Sequence, residues 1–180
     1  MSSQYEIRLS GSGGQGLILA GIILAEAAIE DGKNAVQSQS YGPEARGGAS
    51  KAEVIISEEE IHYPKVKDSD LLLALTPLAC NKYIDTLKKG GTLVIDNSIE
   101  NPKRDDINII SIPIIDTANN KLMKPLVANI VALGAINCIS SIVSYESLKN
   151  AVLARVPRGT EVLNEKALEE GMKLIKECKE

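Results

Sequence analysis

The chain has 180 residues, 24 of them acidic and 20 basic, for a formal net charge of −4 and a pI near 5.2. That length suits one domain over residues 1–180, able to bury roughly 70% of the surface its unfolded form exposes without disulfide or metal staples. The acidic balance argues against a nucleic-acid surface, and with no Phe, no Trp and five Tyr the chain lacks stacking platforms for single strands.

The sequence opens MSSQYEIR, without a basic run followed by an apolar core, so no signal peptide is expected. Short β-rich runs at residues 6–10, 35–39, 51–57, 71–75, 92–96 and 107–112 alternate with longer stretches of helical periodicity. This pattern predicts a layered α/β/α fold with a mostly parallel sheet. The first helix starts near Gly14 and runs through LILAGIILAEAAIE, apolar on nearly every side, and Asp31-Gly32 ends it, with Gly32 suited to a left-handed cap. Thr76-Pro77 opens a second helix, Thr as N-cap and Pro at the first helical position. Gly90-Gly91 is expected to turn the chain into TLVID. After Pro113 the sheet is complete, and helices follow over 125–142, 146–155 and 162–178, the last amphipathic through Leu168, Met172 and Ile175. Residues 126–145 carry no charge over a bilayer-spanning length, but Asn129, Asn137 and three serines fit a buried core helix better.

Between the first strand and first helix, Gly11, Gly13 and Gly16 reproduce the dinucleotide fingerprint GxGxxG, with Gly14 and Gln15 inside it. Glycines there permit a tight turn and close approach of an anion to free helix-terminal N–H groups. The second half of the fingerprint is missing. The second strand ends in Gln37, Ser38, Gln39 and Ser40, with neither an acid for a ribose nor an Arg for a 2′-phosphate. The motif alone is compatible with NAD(P), with another anion, or with a purely structural turn. The following segment, QSQSYGPEARGG, sets Ser40, Tyr41, Gly42, Glu44, Arg46 and Gly47 in a compact loop. There it either presents Arg46 to a phosphate or carboxylate or forms a plain solvated surface.

Other candidates for chemistry are weak. Cys80, Cys138 and Cys178 lie far apart with no cluster spacing, as idle thiols of a reducing cytoplasm would. His62, the single histidine, has no evident acid partner and reads as an exposed or interface residue. Glu58, Glu59 and Glu60 read as a solvated turn, Asp68 and Asp70 as a solvated strand entrance more readily than as metal ligands, and Ser10 and Ser12 lack a neighbouring base. No catalytic residue and no metal ligand is assigned.

GSGGQG, QSYGPEARGG and IHYP at 61–64, with NIVALGA at 129–135, SLKNAV from Ser147 and Asn164, resemble the gamma subunit of the 2-oxoacid:ferredoxin oxidoreductases, most closely the 2-oxoglutarate type. Branched-chain (2-ketoisovalerate) and pyruvate members are the alternatives within the family. The resemblance implies the fold of domain III of the single-chain pyruvate enzymes. It also implies a non-catalytic chain, inactive alone, within a complex that oxidatively decarboxylates a 2-oxoacid to acyl-CoA. Thiamine diphosphate, Mg and 4Fe–4S clusters are then expected in partner chains, with an alpha subunit at the interface, a beta subunit holding thiamine diphosphate, a ferredoxin-like delta subunit, and ferredoxin as electron acceptor. Coenzyme A is the co-substrate, and Gly11, Gly13, Gly14, Gln15, Gly16, Ser40, Tyr41, Gly42, Glu44, Arg46 and Gly47 are the expected ligand- or partner-facing residues. A homodimer of the isolated chain is compatible with this, as are two readings outside the family: a stand-alone nucleotide- or CoA-binding module and an NAD(P)-dependent oxidoreductase.

Overall fold

The computed structural model describes residues 4–40 and 48–177. Six strands, β1 (Gln4–Gly11), β2 (Asn34–Gln39), β3 (Ser50–Ser57), β4 (Ser69–Ala74), β5 (Leu87–Asp96) and β6 (Asn108–Ile112), form one sheet in the order β2-β3-β1-β4-β5-β6. β4 is parallel to β1, β5 to β4 and β6 to β5, while β3 is antiparallel to both β1 and β2. Only β3 is therefore reversed, so the sheet is mostly parallel, as the sequence suggests, and mixed through that one strand. The ends of β1 and β2 lie on the same edge.

Alternation along the strands divides the core in two. Ile7, Leu9, Ala52, Val54, Ile56, Leu71, Leu73 and Val94 face a thick helical layer of α1 (Leu17–Glu30), α4 (Ala128–Ser140), α5 (Tyr145–Arg155) and α6 (Glu161–Glu177). Leu72, Ala74, Leu93 and Ile95 face the shorter α2 (Pro77–Tyr83). On that second face Arg8 and Glu53, both buried, meet across the β1–β3 pair, with Nε donating to Oε1 at 2.8 Å. Lys51 joins the same oxygen at 2.9 Å, and Arg8 also donates to the Val66 carbonyl and to Thr86. A buried ion pair is favourable only when its remaining polar atoms are satisfied, and these contacts supply that condition.

Local sequence explains most boundaries. Thr76 caps α2 by accepting from the Ala79 N–H at 3.2 Å, with Pro77 in the first turn. Gly32 adopts φ +79° after α1, where its N–H reaches the Ile29 carbonyl and that of Lys33 the Ala28 carbonyl. Gly90 and Gly91, by contrast, do not start a strand. β5 already runs from Leu87, and the register against β4 shifts between Ser69 and Leu71, so the pair forms a bulge, with Gly90 at φ +75°. A Cβ on Gly91 would lie 2.8 Å from the Lys88 carbonyl oxygen. After β6 the chain makes an unforeseen short α3 (Ile114–Asp116) and a π-helical turn, Thr117–Lys121. Among the described residues no helix is long and apolar enough to cross a membrane, and most of the uncharged 126–145 stretch is the buried α4 and its flanks.

α4 and α6 cross at backbone contact. A Cβ on Gly171 would stand 1.9 Å from the Val131 carbonyl oxygen, and one on Gly134 would stand 2.1 Å from that of Leu168. Neighbouring Glu170 is buried between the ammonium groups of Lys121 and Lys173. The Lys121 hydrogen bond holds its carboxyl below the usual range against the opposing effect of burial, with Lys173 adding to it.

Two outcomes follow from this crossing. Gly171→Ala forces the helices apart and is expected to lower stability by about 1–3 kcal/mol or more, the cost of overpacking, as read by urea denaturation. Because the folded-state pKa of Glu170 lies below its unfolded value, its contribution is complete above the unfolded pKa and is lost as pH falls through the folded one. Glu170→Gln should therefore be less stable than wild type at neutral pH, and the gap should narrow in an acid titration.

Candidate functional site

β1 delivers the chain to the sheet edge at Gly11, and α1 begins six residues later at Leu17, later than the expected start near Gly14. The turn between them is held by its own side chain. Gln15 Oε1 accepts from the Ser12 N–H at 2.7 Å, and the Gln15 N–H approaches the Ser12 carbonyl at 3.4 Å. The Gln15 side chain folds over Gly11 so closely that a Cβ there would stand 2.2 Å from Oε1.

Gly16 sits before the first residue of α1 with φ +71°, and no side chain caps the helix. Asn129, near the start of α4, donates from Nδ2 to the Gly16 carbonyl at 3.1 Å and lies 2.5 Å from where a Cβ on Gly16 would be. Its own Oδ1 accepts from the Ile130 N–H at 2.9 Å. Asn129 is thus the residue that ties the turn to the helical layer. The sequence marks it as a polar interruption in an apolar helix and as the first residue of NIVALGA, but not as a site residue.

The four glycines differ in what they require. Gly11 and Gly16 are enclosed, Gly14 has φ +85° in open space, and Gly13 has neither positive φ nor a neighbour within 4 Å of its would-be Cβ. Gly13 therefore matches the fingerprint without needing to be glycine for the turn.

The second loop leaves β2 after Gln39. Ser40 is half-buried, and Tyr41, Gly42, Glu44, Arg46 and Gly47 lie outside the described residues. Its far end is fixed: Gly48 has φ +81° and packs toward Leu78 of α2, where a Cβ would come within 3.0 Å of Leu78 Cδ2. Gly11 pairs with Ser50 and Gln39 with Ala52, so the turn and both ends of the loop share the edge where β1 and β2 terminate. With β3 between them, β1 and β2 stand roughly 10 Å apart, two strand spacings. β2 itself offers no carboxylate. Gln37 Nε2 donates instead to the Ser38 carbonyl at 3.3 Å and to Gln39 Oε1 at 3.4 Å.

The remaining candidates are structural or dispersed. Ser10 is buried and donates to the Leu73 carbonyl at 2.7 Å. Asp70 is not a solvated entrance residue, because Lys88 reaches it at 2.9 Å and it accepts the Glu6 N–H at 2.8 Å. Burial pushes the Cys80 thiol up, away from thiolate chemistry. His62 and Glu58, Glu59 and Glu60 are exposed, at the opposite end of β3 from the glycine turn. Among the described residues no group of three His, Cys, Asp or Glu side chains could hold a metal ion.

These features define an α/β module whose candidate site is made of backbone amides and glycine-shaped turns at one edge of the sheet. The chain belongs to the pyruvate ferredoxin/flavodoxin oxidoreductase family, which matches residues 6–174. It is 49% identical over 176 residues to the 2-oxoglutarate synthase subunit KorC of Methanocaldococcus jannaschii, covering 96% of this chain and 94% of that one. The keto/oxoacid ferredoxin oxidoreductase gamma subunit of Geobacter sulfurreducens superposes with a TM-score of 0.90 at 50% identity over 98% of both chains. The fold recurs, at 24% identity and a TM-score of 0.88, within a longer chain of the Magnetococcus marinus 2-oxoglutarate:ferredoxin oxidoreductase, of which this chain covers 32%.

The geometry separates two variants that the motif treats alike. Gly16→Ala places a Cβ at positive φ against Asn129 and should lower stability by about 1 kcal/mol or more. Gly13→Ala should leave it unchanged. Thermal or urea unfolding of the two proteins side by side checks the pair, and equal stabilities would overturn the enclosed-turn assignment.

Proposed function

We propose that the chain is the non-catalytic gamma subunit of a 2-oxoglutarate:ferredoxin oxidoreductase. The observation that carries the reading is the end-to-end match at 49% identity to a 2-oxoglutarate synthase subunit. Thiamine diphosphate, Mg and the 4Fe–4S clusters are assigned to partner chains, the beta and ferredoxin-like delta subunits among them. The complex would decarboxylate 2-oxoglutarate oxidatively, pass the electrons to ferredoxin and deliver the acyl group to coenzyme A.

Within that complex the sheet edge carrying Gly11–Gly16 and the 40–48 loop faces the alpha and beta chains and helps form the coenzyme A end of the site. A dinucleotide role is disfavoured by two features of this chain. The Ser12 N–H is already occupied by Gln15, and β2 lacks the acid that would hold a ribose. Arg46 is assigned a charge-assisted contact, to a coenzyme A phosphate or to a carboxylate of the thiamine-bearing chain, because a planar five-donor group among glycines can reach outward from such a loop.

Reconstitution tests both levels. The chain alone should be colourless and inactive, and its addition to the other subunits should restore coenzyme A-dependent oxidation of 2-oxoglutarate. Full turnover without it would overturn the subunit reading. In the complex, Arg46→Lys should raise the KM for coenzyme A with assembly intact if the contact is to phosphate, or weaken assembly with KM unchanged if it is to protein. Either loss should be about 1–3 kcal/mol, typical of a hydrogen bond to a charged group. An Arg46→Ala complex that assembles and turns over like wild type would remove both versions.

A further inference from the structure

Beside the glycine turn, on the helical side, an apolar groove of about 340 Å³ opens between the starts of α1 and α4 and the connection from α5 to α6. Leu19, Ile130, Val156 and Leu163 form its walls. Asn129 lines it as well, so the groove and the turn share a side chain. Leu126, at its rim, is 82% exposed, and Met123 and Val162 nearby in the chain are 77% and 82% exposed. So much exposed apolar surface around a concave site marks a place of contact.

Two polar groups in the groove lack partners. Asn164 is 5% exposed, and its Nδ2 is used by the Thr160 carbonyl and hydroxyl at 2.9 and 3.0 Å, but its Oδ1 accepts nothing among the described residues. That oxygen is not sealed from solvent, so it is available to an N–H donor that enters the groove. Lys124 is the one charged residue lining the groove and makes no ion pair among the described residues, although the chain as a whole is acidic.

We infer that this groove is a docking site for a segment of a partner subunit, one that inserts a large apolar side chain beside an aspartate or glutamate. The apolar side chain would fill the space between Leu19, Ile130 and Leu163, the carboxylate would pair with Lys124, and a backbone N–H of the segment would donate to Asn164 Oδ1. Charge complementarity with Lys124 selects an acidic flank, and the Asn164 acceptor can take the N–H of any non-proline residue of the segment. The fold's occurrence as one part of a longer chain in the Magnetococcus marinus enzyme agrees with a surface built to adjoin other protein. The inference rests on the subunit reading and adds to it the face by which the subunit is held.

The test measures assembly of the chain with the remaining subunits by native mass and by titration. Leu126→Glu alters an exposed residue, so the fold should be kept, and association should weaken roughly tenfold or more, because it sets a carboxylate at the apolar rim against the acidic flank of the segment. Lys124→Glu should do the same, and Lys124→Arg should assemble as wild type does. Ile29→Glu changes a residue that is 59% exposed near the far end of α1 and should have no effect. If both Leu126→Glu and Lys124→Glu assemble like wild type, the groove inference is overturned while the subunit reading stands. If the wild-type chain fails to assemble at all, the subunit reading falls and takes the inference with it. If Leu126→Glu abolishes only self-association of the isolated chain, the occupant is a second copy, and the partner-segment inference is overturned.

Discussion

The candidate site depends on one contact, the Asn129 amide placed 2.5 Å from where a Cβ on Gly16 would be. Through it the strand–helix turn and the first turn of α4, 113 residues apart in sequence, are joined by a hydrogen bond to the Gly16 carbonyl. A residue with a side chain at position 16 would have to displace Asn129, and with it the wall of the neighbouring groove. The glycine is therefore kept by its neighbour as well as by its positive φ.

The same economy of space appears where α4 meets α6. Gly134 and Gly171 let two backbones touch, and the α5–α6 connection lines the groove together with the starts of α1 and α4. Asn164, near the start of α6, lines the groove and donates to the Thr160 carbonyl.

Most of the fold was legible because its signals are local. All six strands and the main helices follow from alternation and periodicity, and the Thr76-Pro77 and Asp31-Gly32 signals mark real boundaries. The direction of β3 was less so, since pairing is a tertiary outcome, though one cue existed: the β2–β3 connection is short, and a parallel return needs a crossover of a dozen or more residues. Gly90-Gly91 misled because a bulge and a turn draw on the same glycines. At the site, the sequence located the turn but could not tell Gly13 from Gly16, nor find Asn129. That distinction lies in which side chains the fold brings to each Cα, and no spacing rule encodes it.

Gln15 gives the turn a further property. Because its Oε1 holds the Ser12 N–H, the segment 11–16 is kept in one turn by the chain's own side chain. Fixing a backbone costs about 1–2 kcal/mol per residue in conformational entropy, and in this segment that loss falls on folding rather than on association. Whatever meets this edge encounters a surface already set, and its affinity can be spent on contacts instead of on ordering a glycine-rich loop.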